Sequence, residues 1–213
     1  MPDEPDIKRA VAFYDGQNLY HHAKSAFGHH HPNYHTINLF EAICAKNGWT
    51  NHGIRFYTGT PDSQHDELWH GYWAKRLLAM RRAGILVTQR PLRYYTHEII
   101  GPDGTAARVE TPQEKGIDLR IGLDVVRMAR DNQLDVAVIF SQDQDLAEAV
   151  RDLKEISRTS SRWIKAVSAF PSGPNATASR GIEGADWLRI DQATYDACLD
   201  TRDYRPEKFR PSN

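Results

Sequence analysis

Cysteine is scarce: Cys44 and Cys198 are the only 2 in a chain of 213 residues. They lie far apart and neither has a CxxC partner, which excludes a disulfide framework and a cysteine-based zinc site and leaves two core thiols. Long hydrophobic runs are missing as well. No stretch approaches the roughly 20 apolar residues that a membrane helix needs. The opening MPDEPDIKR is acidic and then basic, with no apolar leader core, so the expectation is a cytoplasmic protein with no membrane contact. Neither sign of charge dominates: 27 Lys+Arg stand against 28 Asp+Glu, and a nucleic-acid partner would have to meet a local basic patch. No GxGxxG follows the first apolar run, which sets aside a dinucleotide enzyme. No internal repeat or long low-complexity segment is present.

What is there suits one compact domain with an appended C-terminal segment. Hydrophobic residues make up 40% of the chain, enough for a sizeable core and too much for a disordered chain. Arg9 to Tyr14 is a short apolar run that reads as a buried strand ending in a turn at Asp15-Gly16. A helix follows from about Asn18 to Phe27, then a loop through His29 to Asn33, and a second helical pattern around Leu39 and Ile43. Ile54 to Thr58 reads as the second strand. Trp69, Trp73, Leu77 and Met80 then recur at helical offsets on a helix that stops at Gly84, before a third strand over Ile85 to Thr88. Arg93 to Ile100 and Ala106 to Thr111 flank Gly101-Pro102-Asp103-Gly104, which is hairpin chemistry. The helix from about Gly116 to Arg130 carries apolar residues on more than one face, so burial of most of it is expected. Val136 to Phe140 is the strongest buried strand, followed by an amphipathic helix through Leu146, Val150 and Leu153. Ile164 to Phe170 and Leu188 to Ile190 complete the strands, on either side of a glycine-rich polar stretch from Ser172 to Gly184. Strands alternating with helices predict an α/β fold with a mostly parallel central sheet covered on both faces, and an inserted β-hairpin. The domain is expected over residues 8-190, with 191-213 as a C-terminal helix and tail that is polar from about Asp200.

In open sheets of this class, ligands bind beyond the carboxyl ends of the strands, where strand order reverses. The residues just past the strong strands are acids: Asp15 after the first, Asp143 and then Asp145 after the central one. Asp118, in the first turn of the helix after the hairpin, is expected at the same crevice. Each acid also has an ordinary use: Asp15 in its turn, Asp118 at a helix start, and Asp143 or Asp145 as a cap. Capping needs only one acid per helix, so the conjunction favours a common site. Carboxylates gathered there would repel one another and raise each other's pKa unless a cation sat among them. Oxygen donors without cysteine select a hard ion, Mg²⁺ or Mn²⁺. Asp124 lies six residues beyond Asp118, about 240° around the helix, and is expected off the site, paired to Arg120 or Arg127.

Basic residues cluster at Arg76, Arg81, Arg82, Arg90 and Arg93, interleaved with Tyr94 and Tyr95. The ordinary reading is a solvated helix face and strand end; the alternative is a nucleic-acid patch. His21, His22, His29, His30, His31 and His35 crowd one region, but their spacing matches no zinc pattern; contact with phosphate near the first strand is a softer alternative.

Three segments carry a family resemblance. Phe13-Tyr14-Asp15-Gly16-Gln17-Asn18-Leu19, Lys115-Gly116-Ile117-Asp118 and Ser141-Gln142-Asp143-Gln144-Asp145-Leu146 resemble the three motifs of NYN domains, the LabA-like branch of the PIN-like nucleases, over roughly Arg9 to Phe170. The third motif departs from the usual pattern at Gln142, Gln144 and Leu146, where the family commonly has Gly, a small hydroxyl residue and Phe. Both of its aspartates are kept. The resemblance implies a three-layer PIN-like fold and metal-dependent cleavage of RNA, with Asp15, Asp118, Asp143 and Asp145 as ligands and catalytic acids around Mg²⁺ or Mn²⁺. A bound ion would acidify a water and neutralise charge on the leaving oxygen. Asn18 could hold the attacked phosphate or fix Asp15; Lys115, Ser141, Arg90 and Arg93 are the other candidate RNA contacts. Exposed bases could stack on Tyr20, Tyr94 and Tyr95. An assembly of identical subunits is compatible with this reading. Two other readings remain open: an RNA-binding or scaffolding NYN module without cleavage, motivated by Gln142 and Gln144, and a metal-dependent glycosyltransferase in which Asp143-Gln144-Asp145 is the DxD.

Overall fold

The computed structural model describes residues 2-100 and 105-210. Six parallel strands form the central sheet: β1 (Arg9–Asp15), β2 (Thr50–Thr60), β3 (Leu86–Pro91), β6 (Val136–Phe140), β7 (Lys165–Pro171) and β8 (Asp186–Ile190), in the order β3-β2-β1-β6-β7-β8. Between β3 and β6 the chain leaves the sheet to make an antiparallel hairpin of β4 (Arg93–Ile100) and β5 (Ala106–Gln113), paired from Arg93 with Gln113 to Ile100 with Ala106. This is the α/β architecture with an inserted hairpin that the patterning predicts. The turn expected at Gly101-Pro102-Asp103-Gly104 lies outside the described residues, as do residues 211-213.

Side chains of β1 alternate between two cores, as the period of a strand requires. Ala10, Ala12 and Tyr14 face α1 (Gly16–Phe27), α2 (Thr36–Asn47) and α3 (Glu67–Arg82), whereas Val11 and Phe13 face α4 (Ile117–Arg130) and α5 (Ala147–Thr159). The result is three layers. Tyr14 stacks on Phe140 with ring centroids 3.8 Å apart, and its hydroxyl donates to the Thr36 carbonyl at 2.9 Å. Burying these two rings side by side ties the two central strands together on one face.

Beyond β8, α6 (Gln192–Asp196) and the chain after it return to the first core: Tyr195, Cys198 and Tyr204 are buried there. The Cys198 carbonyl accepts from His35 N–H at 2.7 Å, and Asp200 N–H donates to the Asn33 carbonyl at 2.7 Å. Cys44 is buried too, and both thiols are free.

Two expectations need correction. α4 is not buried all round. Ile117, Ile121, Val125 and Met128 cover the sheet, but Leu119 and Leu123 are 66% and 56% exposed, because the helix lies on the outer layer and only one stripe meets the strands. Arg76 does not belong to a surface basic patch. It is 2% exposed, with its guanidinium 4.9 Å from the Tyr34 ring centroid and hydrogen-bonded to Tyr72 Oη and the Tyr34 carbonyl.

The strand order explains where a site can form. From β1 the chain first moves outward through β2 to β3, then crosses back to place β6 on the other side of β1. The crossovers diverge there and leave a crevice beyond the carboxyl ends of β1 and β6.

Candidate active site

Asp15 ends β1 at that crevice, and Tyr14 pairs with Phe140 in the register, so Asp15 stands level with Ser141. α1 begins at once with Gly16, without an intervening turn, and Asp15 is its N-cap, accepting from Asn18 N–H at 3.0 Å. A side chain at Gly16 would meet Phe56 Cζ at 2.7 Å and the Tyr57 carbonyl oxygen at 2.9 Å. That close approach of α1 to β2 is what glycine permits after the aspartate. The second oxygen of Asp15 accepts from Ser141 Oγ at 3.2 Å, and Ser141 Oγ in turn accepts from Asp143 N–H at 3.1 Å. One buried hydroxyl therefore links the acids that follow the two central strands.

Asp143 caps a 3-10 turn, Gln144–Leu146, by accepting from Asp145 N–H at 2.9 Å; Asp145 itself is exposed. Asp118 is half-buried in the first turn of α4. Its carboxyl is raised above the ordinary range by burial, and next by the charges of Asp143 and Asp145. Asp15 is pushed up to about 7, mainly by burial, against the Asn18 N–H that favours its charged form and with the charges of Glu114 and Asp118 adding to the rise.

Glu114 escaped the sequence reading. Its Oε2 accepts from Gly59 N–H, and burial followed by the charge of Asp118 raises its carboxyl to about 7 despite that hydrogen bond. It lies in the link between β5 and α4, in Gln113-Glu114-Lys115-Gly116, a polar run that looks like a solvated connection. The one available signal was an acid four residues before Asp118, at the mouth of the motif. Among the described residues, no lysine or arginine forms an ion pair with Asp15, Glu114, Asp118, Asp143 or Asp145. The contrast is Asp124, which is 1% exposed. It accepts from Arg120 at 2.7 Å, Arg127 at 2.9 Å and Tyr57 Oη at 2.9 Å, with Arg55 at 3.7 Å. It sits off the crevice with both expected partners.

The remaining candidates divide. Asn18 spends its side chain on structure: Oδ1 accepts from Gln142 N–H at 3.1 Å, closing the start of α1 onto the end of β6. Lys115 lies against the hairpin, its Nζ 5.1 Å from the Tyr95 ring centroid, and Lys115, followed by Arg93, holds that phenol's pKa below its ordinary value. Arg90, at the end of β3, covers Gly116, where an added Cβ would stand 2.6 Å from its Nη1. Gly116 has φ of 74°, the left-handed region that turns the hairpin's exit into α4. Arg90, Arg93 and Lys115 thus gather at the hairpin base beside α4's N-terminus, while Arg81 donates to Gln89 at 2.8 Å further along the edge.

The two unusual glutamines of the third motif have a structural task the sequence did not reveal. Gln142 Nε2 donates to the Arg180 carbonyl at 2.7 Å; Gln144 donates to the Gly181 carbonyl at 3.1 Å and accepts from Glu183 N–H at 3.1 Å. They clamp the stretch between β7 and β8 onto the rim. The histidines are engaged locally: His35 caps α2, His29 pairs with Asp196 at 2.7 Å, and His31 packs on Trp69 and Tyr72.

A divalent ion can be tested against this donor set. Every donor is an oxygen, the acids lack cationic partners among the described residues, and Asp15, Glu114 and Asp118 all have raised pKa values, so added positive charge would be welcome. Among the described residues, no three His, Cys, Asp or Glu side chains form a ready-made ion cage. Mg²⁺ needs none, because it keeps several waters and commonly takes only one or two carboxylates plus substrate phosphate. The residues fit a hydrated hard cation.

The sequence matches the NYN domain over residues 9-169. Among solved structures it is similar to "Crystal structure of a protein of unknown function VPA0982 from Vibrio parahaemolyticus RIMD 2210633", with 20% identity, a TM-score of 0.54, and coverage of 89% of this chain and 97% of that chain. At that identity the likeness establishes the fold. No curated protein matches. Among the described residues, no helix is long and apolar enough to cross a membrane.

Proposed function

The chain belongs to the NYN domain family, a family of PIN-like nuclease domains, and from that premise we propose that it is an Mg²⁺- or Mn²⁺-dependent endoribonuclease acting in the cytoplasm. Residues 8-190 form the nuclease domain in this reading, with 191-213 as a C-terminal helix and tail. The observation that carries it is the group of acids from separate elements, Asp15, Glu114, Asp118, Asp143 and Asp145, without cationic partners among the described residues.

Asp15, Asp118, Asp143 and Asp145 would hold the ion, which when bound supplies positive charge beside the phosphate and makes water more acidic. Ser141 and Asn18 orient Asp15, since its two oxygens accept from the serine hydroxyl and the Asn18 amide. Ser141 also fixes the backbone of Asp143. A carboxylate of this group not engaged by the ion takes the proton from the attacking water. Arg90, Arg93 and Lys115 draw the RNA backbone toward the crevice from the hairpin base. The strand held there is single-stranded or looped, because a phosphodiester must reach a crevice at a sheet edge.

Incubation of purified protein with unstructured and structured RNA, with and without Mn²⁺, tests this. Cleavage of the unstructured RNA that needs Mn²⁺ and is lost in Asp143→Asn is expected. No cleavage by the wild type, or equal cleavage by Asp143→Asn, refutes it. The second reading, an RNA-binding module without turnover, draws on the Gln142 and Gln144 clamp that holds residues 180-183 against the rim. A gel shift that persists in EDTA, with no products in Mn²⁺, would favour it. Among the described residues, no feature favours the glycosyltransferase reading, in which Asp143-Gln144-Asp145 is a DxD.

A further inference from the structure

Beside the acidic crevice lies a second concavity of about 500 Å³. Tyr20 and Lys24 of α1 form one wall, Trp69 and Trp73 of α3 another, and His65 and Tyr94 the side nearest the hairpin. Tyr20 and Trp69 meet edge to face, their centroids 6.1 Å apart at 82°, while His65 lies flat on Tyr94 at 3.6 Å and 10°. The rings are held from behind. Asp66 accepts from Trp69 N–H at 3.0 Å and so fixes the first turn of α3, and His65 is held by Asp62 at 2.8 Å and Glu110 at 3.4 Å.

We propose that this aromatic cleft takes a nucleobase of the single-stranded RNA whose phosphate lies at the acidic crevice. The volume and lining suit a planar heterocycle, which gains by stacking or edge contact with rings already in place. Charge separates the parts of the nucleotide. Among the described residues that line the cleft, Asp66 and Glu110 face a single fixed cation, Lys24, so a phosphate is unwelcome inside it, whereas base edges carry N–H groups that a carboxylate accepts.

Continuity with the crevice runs through one residue. Gln17, on the cleft wall, donates to the Gly59 carbonyl at 3.4 Å, and Gly59 N–H donates to Glu114 of the acid group. A nucleotide with its phosphate on the Glu114 side of Gly59 has an adjoining base on the Gln17 side. Tyr20 and Tyr94 are therefore the members of the expected trio that line the cleft, with one face of Tyr94 already covered by His65. Tyr95 is not, because it points to Lys115 at the hairpin base.

The proposal rests on the nuclease reading for the identity of the strand, and one pair of assays separates the two. Binding of a fluorescent oligoadenylate, and of copies carrying a single abasic residue at each position in turn, is measured on full-length Asp143→Asn with Mg²⁺. Cleavage is measured on the wild type with Mn²⁺. One abasic position should weaken binding about 5- to 150-fold, the range for loss of one stacked base. Trp69→Leu and Tyr20→Leu, each placed in the Asp143→Asn protein, should weaken binding of the intact RNA similarly and erase the abasic effect, while Trp69→Phe keeps it. No abasic position that matters, or folded leucine variants that bind like their parent, would overturn the cleft; the abasic scan decides should those variants not fold. RNA cut by the wild type without any abasic effect removes the cleft and leaves the nuclease standing. RNA bound with the abasic effect but never cut does the reverse, and RNA neither bound nor cut removes both.

Discussion

Replacing Asp15 by asparagine should stabilise the metal-free protein at alkaline pH. The Asp15 carboxyl is buried and pushed up to about 7 from an ordinary value of 3.8. A folded-state pKa above the unfolded one means that the folded protein binds the extra proton. The corresponding stability is complete below about pH 3.8 and is lost as pH rises through 7. The full shift of about three pH units corresponds to roughly 4 kcal/mol, of which about 2.6 kcal/mol falls between pH 5 and pH 8. Urea unfolding in EDTA at those two pH values gives the assay. At a slope of roughly 2 kcal/mol/M, the wild-type midpoint should drop by about 1.3 M relative to Asp15→Asn, whose amide does not titrate. Groups remote from Asp15 contribute equally to both proteins and cancel in the difference. Adding Mg²⁺ should restore the wild type at pH 8 and leave Asp15→Asn much less affected. Parallel pH profiles for the two proteins in EDTA would refute the premise that this carboxylate is buried among other acids.

Asp124→Ala leaves three arginines around an emptied buried position; a loss of about 3 to 5 kcal/mol is expected in urea unfolding. Mn²⁺-dependent cleavage should survive at low temperature in the fraction that remains folded. Ser141→Ala removes the hydroxyl between Asp15 and Asp143; single-turnover cleavage should slow by about tenfold while stability changes by roughly 1 kcal/mol. Gln144→Ala frees the Glu183 amide, so hydrogen exchange should accelerate around residues 181-184 and not in β6.

Asp15, Asp118, Asp143 and Asp145 could be singled out in the sequence because each follows an apolar run or opens a helix, and in a parallel sheet such positions share one edge. Asp124 could be set aside for an equally local reason, its angle on α4. Glu114 could not be found that way. Its burial depends on β2 bringing Gly59 N–H to it from 55 residues away, and no local pattern encodes that encounter. Arg76 shows the converse: charge normally marks a surface, yet the rings of Tyr72 and Trp73 on its own helix and the ring and carbonyl of Tyr34, 42 residues away, accommodate this guanidinium inside. Leu119 and Leu123 looked buried because composition counts apolar residues, whereas exposure depends on which stripe of the helix meets the sheet.

Read alone, the sequence settled the alternation of strands and helices, the inserted hairpin and the placement of acids after β1 and β6, because hydrophobic periodicity and turn chemistry act over a few residues. Tertiary structure decided which acids, among the described residues, lack cationic partners and which are neutralised, that Gln142 and Gln144 grip the stretch before β8, and that Tyr20, Trp69 and Tyr94 share a cleft. Those outcomes depend on burial and on partners remote in the chain, and desolvation and charge interactions are set only once the strands have taken their order.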